Sequence, residues 1–270
     1  MTDKQPVQPA GDPNAVNVQI IGAGGVVDTT KATLVPSGVI VEDLLTRTTP
    51  WMIAHRGGSR DWPEMSLKAY SESSNRGIPA LEFSFHFTAD GVPVGVHDNG
   101  LTSVDPSAPD TPVTEMTWEQ VRQYKTKGEP FMRLQDLTAG FGQDHVLFVD
   151  PKASSQPIEA YLPLLDPTHT ILKYAGDATH LADPWREAGF KTWGFMYEES
   201  MLNGKAATWA PHWDLIGLDW TASDAAWEIA RGLGRPIIGH ICPSQEAINS
   251  CLQRGAVGVM CSKIDGITLP

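Results

Sequence analysis

Residues 80–97 read ALEFSFHFTADGVPVGVH, and the alternation inside this stretch governs how the rest of the chain is read. A strand repeats every two residues, so Glu82, Ser84 and His86 share one face while Phe83, Phe85 and Phe87 share the other. The aromatic face calls for a cover of helices. The polar face is costly in a dry core unless its groups find partners. Upstream, Ile53-Ala54-His55-Arg56-Gly57-Gly58 ends an apolar run in a histidine–arginine pair. Downstream of the Asp90-Gly91 turn, a second apolar run ends in His97-Asp98. Two histidines and an acidic strand face are thus expected at the ends of neighbouring strands.

Working outward from Trp51, apolar runs alternate with helical patterns, the signature of a parallel α/β architecture. Strands are expected at 52–55, 81–87, 146–150, 170–174, 192–197, 215–220, 237–242 and 257–261. A return run is expected at 94–97. Helices are expected at 64–76, 117–127, 134–140, 158–165, 178–188, 223–232 and 244–254. Asp61 with Glu64 has capping-box spacing, and Gly77 marks the end of the first helix. Eight strands with intervening helices fit a (β/α)8 TIM barrel, which takes about 250 residues, better than a doubly wound sheet.

The 270-residue chain divides into residues 1–15, expected to be disordered or a linker, an N-terminal extension at 16–50, and a barrel domain at 51–270. Gly22-Ala23-Gly24-Gly25 lacks the third glycine and following helix of a dinucleotide fingerprint and reads as a hairpin turn. A net charge of −12 argues against a nucleic-acid surface. Cys242, Cys251 and Cys261 have no CxxC spacing and read as buried free thiols. Neither a signal peptide nor a transmembrane segment is evident, so a cytoplasmic location is the default expectation.

In a barrel, catalytic groups gather where strands end at the C-terminal face. His55, Arg56, Glu82, Ser84, His97, Asp98, Asp150 and Lys152 all fall at such ends. Lys173 and His240 fall near barrel-facing ends and carry less weight, with a structural role as good a reading as substrate contact. Trp193, Trp213 and Trp220 either line the mouth or pack under helices.

These residues resemble the glycerophosphodiester phosphodiesterase family. The resemblance rests on His55-Arg56-Gly57, Pro63-Glu64, Glu82-x-Ser84 and Asp90-Gly91-Val92-Pro93-Val94 leading into His97-Asp98. It is dense from Trp51 to Asp98 and thinner beyond, where Gly255–Val259 resembles the last family strand. The resemblance implies a TIM barrel that binds Mg²⁺ or Ca²⁺ and hydrolyses a small-molecule or polymer phosphodiester. His55 and His97 would form the acid–base pair, and Arg56 and Lys152 would hold phosphate oxygens. Glu82, Asp150 and Ser84 would hold the cation, with Asp98 and His86 in support.

The departures are specific. Ser84 stands where the family has a metal-binding aspartate, and Asp150-Pro151-Lys152 replaces Glu-x-Lys. Cys261-Ser262-Lys263 stands where Thr-Asp is usual. An aspartate at the third position also resembles the related sphingomyelinase D group. Two alternatives follow: a catalytically impaired barrel used as a binding module and attached to a larger assembly through its N-terminal extension, and a phospholipase D-like enzyme that forms a cyclic phosphate.

Overall fold

A computed structural model describes residues 21–22, 25–26, 38–152 and 157–269. Eight strands form a closed parallel barrel: β1 (Trp51–Ala54), β2 (Ala80–Phe87), β3 (Val146–Pro151), β4 (Thr170–Ala175), β5 (Lys191–Met196), β6 (Leu215–Asp219), β7 (Ile237–Cys242) and β8 (Gly258–Cys261). Each pairs with its neighbours in chain order, and β1 pairs with both β2 and β8, so the eight strands close on themselves. The strand Pro93–Gly95 returns antiparallel along β2, with His86 opposite Val94.

Strand alternation sorts the side chains into two cores. Trp51, Ile53, Ala80, Val146, Phe148, Ile171, Trp193, Leu215, Ile238 and Met260 fill the barrel interior. Leu81, Phe83, Phe85, Leu147, Val149 and Leu172 face outward and are covered by helices. Two interior indoles need glycine beside them. A Cβ on Gly217 would lie 2.6 Å from the Trp193 ring, and one on Gly258 would lie 2.8 Å from Trp51. The short helix Val41–Thr46 sends Val41 and Leu44 into the interior core. Its Val41 N–H donates to Thr168 O, just before β4 begins, so this helix plugs the N-terminal end of the barrel and leaves the other end for chemistry.

Several helices begin at side-chain caps. Ser223 and Ser244 accept from the N–H groups of Ala226 and Ala247, starting Asp224–Gly232 and Gln245–Gln253. Other expected boundaries are corrected. The helix expected at 64–76 spans Leu67–Asn75 with Ser66 as its cap, because Met65 has φ 51° and cannot continue a right-handed helix. Asp61 caps nothing there and instead accepts from the backbone N–H groups of Ile264 and Asp265. The stretch 117–127 holds one short helix, Trp118–Val121, and Lys125–Thr126 then pairs with Glu129–Pro130. The stretch 158–165 forms two 3-10 turns. After β5 come two short helices, Glu198–Leu202 and Lys205–Trp209.

From the return strand up to the helix Leu134–Phe141, residues such as Val94, Val96, Leu101, Val113, Val121 and Phe131 form a small separate core. This insertion carries His97 and Asp98. The readings of residues 1–15 and most of 16–37 lie outside the described residues, apart from Ile21–Gly22 pairing antiparallel with Gly25–Val26. Among the described residues no helix is long and apolar enough to cross a membrane, and the three cysteines are free and buried.

Candidate active site

β1 ends in a tight 3-10 turn, His55–Gly57, in which Arg56 takes the left-handed conformation with φ 52° and ψ 32°. That conformation costs a non-glycine residue about 1–2 kcal/mol. It is held from three sides. The Arg56 N–H donates to Glu82 Oε2 at 2.8 Å, its carbonyl accepts from Met65 N–H at 3.0 Å, and Nη1 pairs with Glu64 Oε1 at 3.0 Å. Gly57 is pressed against Ala69, where a Cβ would come within 2.8 Å. The turn fixes His55 at the barrel mouth, where the side chain is buried and Nδ1 has no hydrogen-bond partner.

The polar face of β2 meets β3 and β4. Glu82, wholly buried, accepts from Ser84 Oγ at 2.8 Å and from Lys173 Nζ at 2.9 Å through Oε1. The same ammonium lies 3.1 Å from Asp150 Oδ2, which also receives Lys152 Nζ at 2.7 Å. Ser84 Oγ is 3.4 Å from that Asp150 oxygen. Burial alone would push the Glu82 carboxyl up, but the Lys173 ammonium, with His55 and Arg56, holds it well below the usual carboxylate range. Burial likewise works against the Lys173 charge, and Asp150 and Glu82 outweigh it, keeping the ammonium above its ordinary value. The Lys173 stem runs beside Trp193 and Phe195, with Nζ 5.6 Å and 5.9 Å from their ring centroids.

His97 approaches from the insertion. Its Nδ1 lies 2.8 Å from Asp98 Oδ1. An ionised carboxylate only accepts, so Nδ1 carries the proton and Nε2 keeps its lone pair. The His97 carbonyl accepts from His86 Nε2 at 3.3 Å, so His86 ties the return segment to the polar face of β2. Burial lowers the pKa of His55 well below that of a free imidazole, with Arg56, Lys173 and His97 adding to the effect against the pull of Glu82. Burial, Lys152 and Arg56 lower that of His97, which Asp98 partly restores. The Glu82 carboxylate and the Arg56 guanidinium bear on both imidazoles.

The structure therefore gathers His55, Arg56, Glu82, Ser84, His97, Asp98, Asp150 and Lys152 at one mouth, with His86 behind His97. Lys173 stands at the centre of this group, a position its sequence context understated. His240, partly buried with its Nε2 enclosed and lacking a partner, meets Trp193 edge to face with ring centroids 5.6 Å apart. Trp193 belongs to the barrel interior, Trp213 packs under the helices, and Trp220 is partly buried against that same outer core.

The closed parallel barrel, with imidazoles, carboxylates and cations gathered where its strands end, places the chain in the class of (β/α)8 barrels, whose sites lie at the C-terminal face. Residues 55–166 match the glycerophosphoryl diester phosphodiesterase family. Glycerophosphodiester phosphodiesterase 1 of Rattus norvegicus is 40% identical over 90 residues, which are 33% of this chain and 26% of that protein. The match thus spans about a quarter of the relative's length. The glycerophosphodiester phosphodiesterase of Thermotoga maritima superposes with a TM-score of 0.68 at 17% identity, covering 80% of this chain and 96% of the other. An Oleispira antarctica phosphodiesterase, in complex with the product sn-glycerol-3-phosphate, gives 0.67 at 15% identity, covering 79% and 93%. Likenesses at such identities speak for the fold.

The family is generally dependent on a divalent metal, and the donors in this chain fit one poorly. Mg²⁺ and Ca²⁺ take six or more oxygen ligands, several of them charged. Among the described residues no three His, Cys, Asp or Glu side chains are grouped to hold a metal. Both Glu82 oxygens and Asp150 Oδ2 already accept from protein donors, and only Asp150 Oδ1 has no partner. The set expected from the sequence, Glu82, Asp150 and Ser84, is thus arranged around an ammonium.

Proposed function

We propose that this chain hydrolyses a phosphodiester of the glycerophosphodiester class, with His55 and His97 exchanging protons with the reacting groups. The supporting observation is that both imidazoles share one mouth with Arg56 and Lys152. A monoanionic diester suits this cavity: Arg56 and Lys152, oriented by Glu64 and Asp150, carry N–H groups for its non-bridging oxygens. One imidazole takes a proton from water as the water oxygen bonds to phosphorus. The other gives a proton to the alcohol oxygen as its bond to phosphorus breaks. Asp98 holds His97 in one tautomer, and His86 anchors the His97 backbone.

The lowered pKa values make both imidazoles neutral in the free protein at pH 7. An incoming anion favours the protonated form, so substrate itself supplies the charge that lets one of them act as the acid. The test is release of free alcohol from glycerophosphocholine, followed by phosphorus NMR. A phosphomonoester product is expected, and the His55→Ala and His97→Ala variants should each lose at least about a hundredfold in rate. Unchanged turnover in either variant would remove this mechanism. A cyclic phosphate as the final product would transfer the site to the phospholipase D-like reading.

A further inference from the structure

We infer that the Lys173 ammonium is a built-in replacement for the divalent cation, and that the pocket between Glu82 and Asp150 takes up neither Mg²⁺ nor Ca²⁺. This rests on the phosphodiesterase reading for its catalytic meaning, but not for its geometry.

The positional argument comes first. Lys173 lies on β4, two residues beyond Ile171, which fills the barrel interior. Strand alternation therefore aims Lys173 along the barrel axis. Its side chain is 7% exposed and ends between the two carboxylates, at 2.9 Å and 3.1 Å. A cation that joined Glu82 to Asp150 would occupy that same place. Trp193 and Phe195 flank the stem and favour a positive charge there.

Charge balance points the same way. Glu82 and Asp150 carry two negative charges, and the Lys152 and Lys173 ammonium groups paired with them carry two positive ones. A divalent ion in this pocket would leave two uncompensated positive charges in a buried setting, a costly arrangement. The hydroxyl of Ser84 completes the replacement by donating to Glu82 Oε1, where a second carboxylate would only repel.

The decisive measurement is calorimetric titration of the full, metal-stripped chain with Mg²⁺, Ca²⁺ and Mn²⁺ beside the Glu82→Gln variant. No saturable site that depends on Glu82 is expected. One-to-one binding in the wild type that Glu82→Gln abolishes would overturn the inference. The reciprocal variant, Ser84→Asp with Lys173→Ser, is expected to gain one such site. If that variant does not fold, the wild-type titration still decides.

Hydrolysis of bis(p-nitrophenyl) phosphate gives a second readout. Wild-type turnover in EDTA should stay within twofold of that with added Mg²⁺. A tenfold loss in EDTA that Mg²⁺ reverses would overturn the inference. A wild type that hydrolyses no phosphodiester with or without metal would defeat the proposed function, while the titration would still test the Lys173 assignment.

Discussion

The Arg56 backbone N–H donates to the buried Glu82 carboxylate at 2.8 Å, so the turn that aims His55 is anchored by the neighbouring strand. Glu82 also holds Lys173, which makes it the joint of the site. Glu82→Ala would strand the Lys173 ammonium beside a single carboxylate and release the Arg56 turn. Breaking a buried pair costs about 3–5 kcal/mol. Glu82→Gln keeps an acceptor for the Arg56 N–H and should cost less. Urea denaturation of the two variants tests the ranking, and equal losses would remove the anchoring role.

The pH dependence of kcat/KM follows from the two lowered imidazole pKa values. A two-histidine reaction needs one base neutral and one acid protonated, so its bell for the free enzyme centres between those two values. Its maximum should lie below pH 6.5, the ordinary histidine value. The alkaline limb of kcat, measured at saturating diester, should lie higher, because the bound anion favours the protonated form. A maximum at pH 8 would contradict this assignment.

Asp98→Asn should lower kcat by about tenfold or more, because the amide no longer specifies which His97 nitrogen carries the proton. The Asp98 carboxylate raises the His97 pKa, and His97 is the less depressed of the two imidazoles, so removing the carboxylate should also move the alkaline limb to lower pH. A kcat loss with an unmoved profile would mean that Asp98 only shapes the loop.

His145 tests stability apart from catalysis. Burial beside Phe141 lowers its pKa to about 4. The unfolded chain binds a proton near pH 6.5, so this group's contribution is complete above that value and is lost as pH falls toward 4. The loss amounts to about 3 kcal/mol. Urea melts from pH 7 to pH 4 should show a smaller slope for His145→Phe than for the wild type.

Gly217→Ala would place a methyl group 2.6 Å from the Trp193 indole, inside van der Waals contact. Overpacking of this kind costs about 1–3 kcal/mol. Because Trp193 flanks Lys173, a lower kcat should accompany the lower melting temperature. Full activity in a destabilised variant would show that the indole is only filler.

Much of the fold was legible because barrel strands have a period of two and their helices carry side-chain caps. Glu82-Phe83-Ser84-Phe85 announces one polar and one aromatic face with no knowledge of neighbours. Ser223 and Ser244 mark helix starts by local chemistry alone. The failures lie where a tertiary contact overrode such a signal. Glu64 looked like a helix residue but pairs with Arg56, and Asp61 looked like its cap but holds the backbone at Ile264. Lys173 was visible as a charge in an apolar strand. A buried lysine is rarely tolerated without a partner, and that hint alone could have raised its weight.

Sequence alone determined the alternation, the order of strands and helices, and which residue types reach the strand ends, because these depend on local periodicity and hydrogen-bonding chemistry. Tertiary structure decided which charges became neighbours. Glu82, Asp150 and Lys173 come from three different strands, and only barrel closure brings an ammonium between two carboxylates. Coulomb energy depends on distance in space, which separation along the chain does not report.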